Sequence, residues 1–366
     1  MISDSDMEIL RPKIINIAGR CYRVHNFVEN TSNLPDTSAP GPYHELDGNY
    51  DDDLVYEDKD EKDNLTIEST PEGYKAEFHV ARNYYPAIIG SKGAVRKRLE
   101  TETKTHIKIP RLGITTGDIV ITGSDANGVR RAYRRVKQIV EKVRKTQPAT
   151  HFISIRCTSE AIKSNFLTFK KLVLEEYKSI DITESIFQVP EKLHLTIAVL
   201  VLSDTIERTK ACQVFEECRD IFLLPTINGR KLTLNLKGLE IMNDDPSEVN
   251  VLYAKVKSND DDLLQTVVDG IVSYFEDYGL LSKQYEKVKL HATLMNTAFD
   301  KRSEAEVDPD SKKRKTFDAT KILRDLQDFE FGSTTFEGLD LSVRFSTGTD
   351  GYYTYSTRVN FMSCTA

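Results

Sequence analysis

One unit occurs twice in this chain, and the duplication limits the possible folds more than any composition figure. His151–Cys157 reads as a strand, Glu160–Tyr177 carries Ile162, Phe166, Phe169 and Val173 at helical spacing, and Lys192–Leu202 is an apolar strand opening Leu193-His194-Leu195-Thr196-Ile197. Further on, Val249–Val256 reads as a strand and Asp262–Tyr278 as a helix with Leu264, Val267, Val268, Ile271 and Phe275 inward. Val288–Met295 is again a strand, containing Leu290-His291-Ala292-Thr293-Leu294. The first strand starts 43 residues before its histidine in one copy (151 to 194) and 42 in the other (249 to 291). Alternation puts residues i and i+2 of a strand on one face, so His194 shares a face with Thr196 and His291 with Thr293. A lone histidine on a strand is more often structural. The matched flanks and topology argue otherwise here, because two pseudo-symmetric halves can present both pairs to one cleft.

This paired motif resembles that of the two-histidine phosphoesterases, which carry two apolar-His-x-Thr/Ser-apolar strands in a duplicated bilobal α+β fold. The resemblance covers about residues 148–366, of which 300–335 do not follow the repeat. It implies that one histidine deprotonates the attacking hydroxyl or water while the other protonates the leaving oxygen. It further implies that Thr196 and Thr293 hold the phosphoryl oxygens, and that no metal or other cofactor is needed. Imidazole suits both roles because its unperturbed pKa, ~6.5, lies near the working pH. The implied substrates are 2′,3′-cyclic phosphates or 2′–5′ linkages, generally on RNA. Which of His194 and His291 is the base stays open.

The formal net charge of −7 hides a segregation. Tyr43–Glu72 holds 12 acidic residues against 2 basic ones, and Ser91–Lys145 holds 15 basic against 5 acidic. With few large apolar residues, the acidic stretch cannot bury enough surface to offset ordering, so residues 29–71 are expected to be a disordered linker. The basic region reads β-α-α-β-β-α over residues 72–147. A strand at Tyr74–Val80 precedes a short helix opened by Pro86. Gly90-Ser91-Lys92-Gly93 follows, then a helix from Ala94 to about Thr101, strands at Thr105–Ile109 and Asp118–Thr122, and a long helix capped by Asp125. Alone, a GxxG loop usually marks a turn. Between two helices in a stretch this basic, it resembles the loop of a eukaryotic-type (type I) KH domain, where it clamps about four nucleotides of a single strand. Two glycines let phosphates approach backbone N–H groups closely, and Lys92, Arg96, Lys97 and Arg98 add cations. Arg130, Arg131, Arg134 and Arg135 on the last helix either widen that footprint or form a solvated face. The expected ligand is single-stranded RNA, with single-stranded DNA left open.

The N-terminal 28 residues hold strand-like Glu8–Leu10 and Ile14–Val24, turning at Gly19, too small to fold alone. No apolar run approaches the ~18–20 residues of a membrane span, and the acidic opening Met1–Asp6 lacks a secretory pattern. The five cysteines show no metal-like spacing, and Cys212 and Cys218 read as buried helix residues. A membrane or secreted protein is therefore not expected. Lys312–Lys315 is either a nuclear-localisation run or a solvated loop. The aromatics of Gly351–Tyr355 either stack a base in the cleft or are strand residues of the sheet.

A KH domain ahead of a duplicated two-histidine domain is an uncommon order. With Met242–Pro246, Val251–Val256 and Lys289–Thr297, the whole chain resembles the KH-bearing subunits of the activating signal cointegrator complex. That resemblance implies a nuclear protein whose partner is a helicase subunit, serving transcription and alkylation repair. The expected function is a single-stranded-RNA-binding phosphodiesterase acting on RNA phosphate ends. The alternatives are a non-catalytic nucleic-acid adaptor and a scaffold whose cleft binds a free nucleotide.

Overall fold

The computed structural model describes residues 13–17, 20–24, 65–110, 118–281, 286–300 and 315–361. Strands β1 (Lys13–Ile17) and β2 (Arg20–Val24) form an antiparallel hairpin, from Lys13 opposite Val24 to Ile17 opposite Arg20. The turn expected at Gly19, the Glu8–Leu10 strand, the acidic stretch up to residue 64 and Lys312–Arg314 lie outside the described residues.

The first domain of the remaining unit has the expected order with one addition. It comprises β3 (Ile67–Thr70), β4 (Gly73–Phe78), α1 (Tyr85–Ile89), α2 (Ala94–Thr103), β5 (Thr105–Lys108), β6 (Ile119–Gly123) and α3 (Ala126–Thr146), with sheet order β3-β4-β6-β5. Strand β3 corrects the expected linker, which was carried to residue 71. Leu65 and Ile67 pack on the domain core, and the strand pairs with β4 from Ile67–Ala76 to Thr70–Gly73. Edge pairing is a backbone property, which an acidic composition does not veto. Asp125 caps α3 as expected, accepting from the Gly128 N–H at 3.0 Å. Ile88, Ile107, Ile119, Ile121, Val129, Ala132 and Val136 fill the interior.

The second domain is an antiparallel eight-stranded sheet over one apolar cluster. In chain order it holds β7 (His151–Arg156), α4 (Glu160–Glu176), β8 (His194–Leu200), α5 (Thr205–Cys218), a π-helical turn (Arg219–Leu223), α6 (Leu224–Ile227) and β9 (Thr233–Ile241). The second half adds β10 (Val251–Ser258), α7 (Asp261–Asp277), β11 (His291–Asn296), α8 (Thr320–Leu326), β12 (Glu330–Thr335), β13 (Gly338–Val343) and β14 (Tyr355–Asn360). The sheet order β12-β9-β10-β11-β8-β7-β13-β14 shows the two lobes. Each repeat contributes a strand pair, β7–β8 and β10–β11, and β8 meets β11 at the centre. Strands β13 and β14, at the end of the described chain, return to the first lobe. Gly270 of α7 is required by packing: a Cβ there would stand 2.0 Å from Phe222 of the π-helical turn. Cys218 is buried on α5, as read from sequence, whereas Cys212, also expected to be buried, is half-buried there; burial pushes the Cys218 thiol up to about 12.

The two domains share a polar junction. Arg144 near the end of α3 pairs with Glu207 of α5 at 2.5 Å, and Glu207 also accepts from the Ser203 N–H at 2.7 Å. Tyr84 and Ser203 share a hydroxyl hydrogen bond of 2.8 Å. His79, unassigned from sequence, sets Nε2 2.8 Å from the Asp204 carboxylate and Nδ1 3.4 Å from that of Asp118.

Candidate functional site

Strands β8 and β11 pair antiparallel with Leu195 opposite Ala292. One residue to either side, the antiparallel sense sets His194 across from Thr293 and Thr196 across from His291. Leu195 and Ala292 are wholly buried beneath the sheet, while all four motif residues are half-buried on the other face. The structure thus brings together the four residues singled out in the sequence, about a pseudo-two-fold axis through Leu195–Ala292.

Each imidazole is held the same way. His194 Nδ1 donates to the Lys192 carbonyl at 2.7 Å, and His291 Nδ1 to the Lys289 carbonyl at 2.9 Å. That bond fixes the tautomer and ring direction and leaves Nε2 for chemistry. Burial lowers both pKa values: His194 falls to about 4, with a further push from His291, and His291 falls with help from the Lys289 charge.

The two lysines are the residues the sequence reading missed. The signal was present, since the motif is Lys-Leu-His-x-Thr in both copies, Lys192–Thr196 and Lys289–Thr293. Each ammonium lies by a tyrosine ring, Lys192 at 4.7 Å from Tyr353 and Lys289 at 5.3 Å from Tyr253. The rings in turn flank the imidazoles: Tyr353 is 5.5 Å from His194 and Tyr253 is 5.1 Å from His291. Lys192 also ties down the loop before β14 through Thr347 Oγ1 at 2.7 Å and the Ser346 carbonyl at 3.0 Å.

The surroundings break the symmetry. His194 also contacts Phe152 at 5.0 Å and Tyr352 at 6.4 Å, so its side of the cleft is aromatic. Tyr352 and Tyr353 stand in the turn ahead of β14, and only Tyr355 is a strand residue of the sheet. Tyr352 is buried, bonded to Ser154 at 3.0 Å and covered by the Arg156 guanidinium at 4.0 Å, so it cannot stack a base. Tyr353 is half-buried and keeps part of its ring accessible.

In the first domain, three residues of the GxxG loop have left-handed φ: Gly90 at 70°, Lys92 at 50° and Gly93 at 79°. A Cβ on Gly90 would stand 2.4 Å from Val95, so glycine is required there by both conformation and space. Ser91 and Lys92 are exposed at the tip, as are Lys97 and Arg98 on α2. Arg96 and Arg98 lie at the limit of ion pairing with Glu100 and Glu102, at 4.0 and 3.9 Å. On α3, Arg131 is exposed and Arg130, Arg134 and Arg135 are half-buried, with burial lowering the Arg135 pKa. Helical spacing places Lys137 and Arg144 on a flank apart from Arg131 and Arg135. Arg144 there faces Glu207, so the end of α3 serves the domain junction. Among the described residues, no helix is long and apolar enough to cross a membrane.

Residues 149–361 match the AKAP7 2′5′ RNA ligase-like domain model, and residues 75–138 match the KH domain model. The chain is similar to activating signal cointegrator 1 complex subunit 1 of Mus musculus, 36% identical over 97% of this chain and 100% of that one. An uncharacterized protein of Schizosaccharomyces pombe is 26% identical over 31% of this chain and 52% of its own length. A solved structure described as a phosphoesterase aligns at 14% identity and a TM-score of 0.35, covering 59% of this chain and 100% of that one. An α+β protein with a KH domain ahead of a 2′5′ RNA ligase-like domain, the chain belongs to the family of that AKAP7-type domain and to that of activating signal cointegrator 1 complex subunit 1.

Proposed function

We propose that this chain is an RNA-binding phosphodiesterase: the Gly90–Gly93 loop holds a single strand, and the His194/Thr196/His291/Thr293 cleft processes a phosphate end of it. The observation that carries this reading is the doubled Nδ1-to-carbonyl bond, which fixes both imidazoles on the sheet face that Thr196 and Thr293 share. Such an arrangement suits an in-line displacement at phosphorus. One neutral imidazole accepts the proton of the attacking 2′-hydroxyl or water, and the other, protonated, delivers a proton to the leaving oxygen. Thr196 and Thr293 donate to the non-bridging oxygens.

In the free cleft burial favours neutral imidazole on both sides. An arriving phosphate anion opposes that burial and raises the pKa of the imidazole it faces, so the acid form is made by substrate binding itself. Substrates of this reading are 2′,3′-cyclic phosphates or 2′–5′ linkages. The setting implied by the family is a nuclear coactivator and alkylation-repair complex with a helicase subunit. Residues 1–28 are the proposed contact for that subunit, and their deletion should abolish helicase binding.

The test is incubation of the full chain with short RNAs ending in 2′,3′-cyclic phosphate, beside a His194→Ala/His291→Ala double variant. Ring opening by wild type alone supports the reading. No turnover, with equal RNA affinity in both proteins, replaces it with the non-catalytic adaptor.

A further inference from the structure

Outside the cleft, one aromatic ring is displayed to solvent from a strained backbone. Phe345, just past the end of β13, has φ 61°, a left-handed conformation that bulky residues rarely adopt, and its ring is 84% exposed. The turn around it is fixed from inside. The Ser346 hydroxyl donates to the Val343 carbonyl at 2.6 Å and accepts from the Thr354 N–H at 2.9 Å. The Arg344 guanidinium lies 4.5 Å from the Phe345 ring centroid. Arg344 is itself exposed, bonded to the Ala149 carbonyl at 3.4 Å, and has no acidic partner among the described residues. An open aromatic face backed by an available cation is the combination that holds single-stranded nucleic acid, the ring taking a base and the cation a phosphate.

Hydrogen bonds on either side of Phe345 place it between the two domains' working parts. Toward the first domain, the Arg344 N–H donates to the Thr150 carbonyl at 2.9 Å, and the Thr150 hydroxyl accepts from the Leu202 N–H at 2.9 Å. The next residue, Ser203, is bonded to Asn83 and Tyr84 of the first domain. Toward the cleft, the Ser346 carbonyl and Thr347 hydroxyl accept from Lys192, whose own carbonyl holds the His194 ring. Burial pushes the Tyr353 hydroxyl up and the Arg344 charge acts on it in the opposite direction, so the guanidinium stands near the ring that flanks His194. We infer that Phe345 and Arg344 form a nucleobase-stacking platform outside the cleft, on which a base of single-stranded RNA rests between the first domain and the paired histidines. This deepens the RNA-binding phosphodiesterase reading and rests on it. One continuous strand then serves both domains, and the cleft receives a phosphate at a set distance from the segment held by the Gly90–Gly93 loop.

The chain contains no tryptophan, so Phe345→Trp puts a lone indole on the platform. Two mixed-sequence single-stranded RNAs are titrated into the full chain, one of about four nucleotides, the length a KH groove takes, and one about three times as long. The longer strand should quench the indole emission and the shorter should not. Phe345→Ala keeps the Cβ, and with it the same backbone demand. In that variant the longer strand should bind about tenfold more weakly, the size of one base stacked on an aromatic ring, and the shorter should bind unchanged. Phe345→Tyr should bind both as wild type does. Binding of the longer strand without quenching and without loss in Phe345→Ala overturns the platform, leaves the RNA-binding reading intact and makes a protein surface the candidate occupant of the ring. Equal losses for both strands also overturn it, because a strand confined to the KH groove does not reach Phe345. If wild type binds neither strand, the RNA-binding reading and the platform fall together.

Discussion

Arg144, near the end of the last KH helix, and Glu207, in the first turn of the helix after β8, meet at 2.5 Å across the domain junction, with side chains only 17% and 10% exposed. Removing one partner leaves the other buried and uncompensated, which costs about 3–5 kcal/mol. Arg144→Ala should therefore split the thermal transition into two and speed hydrogen exchange around Ser203–Glu207. A Glu207→Gln change in the Arg144→Ala background should restore part of the loss, and a double-mutant cycle measures the coupling. A single unshifted transition in Arg144→Ala would refute a rigid junction.

Stability should fall on mild acidification because of His194. Its folded pKa, about 4, lies below the ~6.5 of an unfolded histidine, so the unfolded chain takes up a proton first. The contribution is intact above ~6.5 and is lost progressively down to about 4, amounting to up to about 3 kcal/mol. His291 shifts in the same direction. Melting temperature measured between pH 7.5 and 4.5 should drop less in His194→Gln than in wild type; parallel curves would contradict the assignment.

Phosphate binding should carry protons with it. If an anion between the rings raises the imidazole pKa values, complex formation near pH 6 takes up a proton from the buffer. Calorimetry of adenosine 2′-monophosphate in two buffers of different ionisation enthalpy should give heats that differ by that uptake. The difference should vanish in the His194→Ala/His291→Ala variant.

Lys92, exposed at the tip of the GxxG loop with φ 50°, is expected to meet a backbone phosphate. Lys92→Ala should weaken binding of unrelated single strands alike and reduce the slope of log affinity against log salt by ~0.7, the value for one phosphate on a single strand. Loss confined to one RNA sequence would instead mean a base contact.

The parts of this molecule that were legible in its sequence are those with a local period or a repeated motif. The alternation around His194 and His291, the helix cap at Asp125 and the KH order all follow from neighbours along the chain. Strand β3 was masked by its acidic surroundings, since pairing through backbone groups leaves little trace in composition. His79 and Asp204 are 125 residues apart, and no periodicity links them. Lys192 and Lys289 were visible as a repeated Lys-Leu-His-x-Thr, but a lysine ahead of a strand reads as a solvated end until its carbonyl is seen to hold the ring. Tyr352 and Tyr353 differ in burial because of the Arg156 network, which only the folded sheet assembles.

The strands that display His194 and His291 upward turn Leu195 and Ala292 down into the cluster shared by both lobes. The reacting groups are in effect roof tiles laid directly on the load they cover. A centre carried on a lid can loosen while the body of its protein holds; this one has no softness separate from the body. Heat inactivation should track the loss of ellipticity across one temperature interval. Changes that retune this cleft then belong in its rim, at the loop before β14, and the two central strands are the part least free to vary.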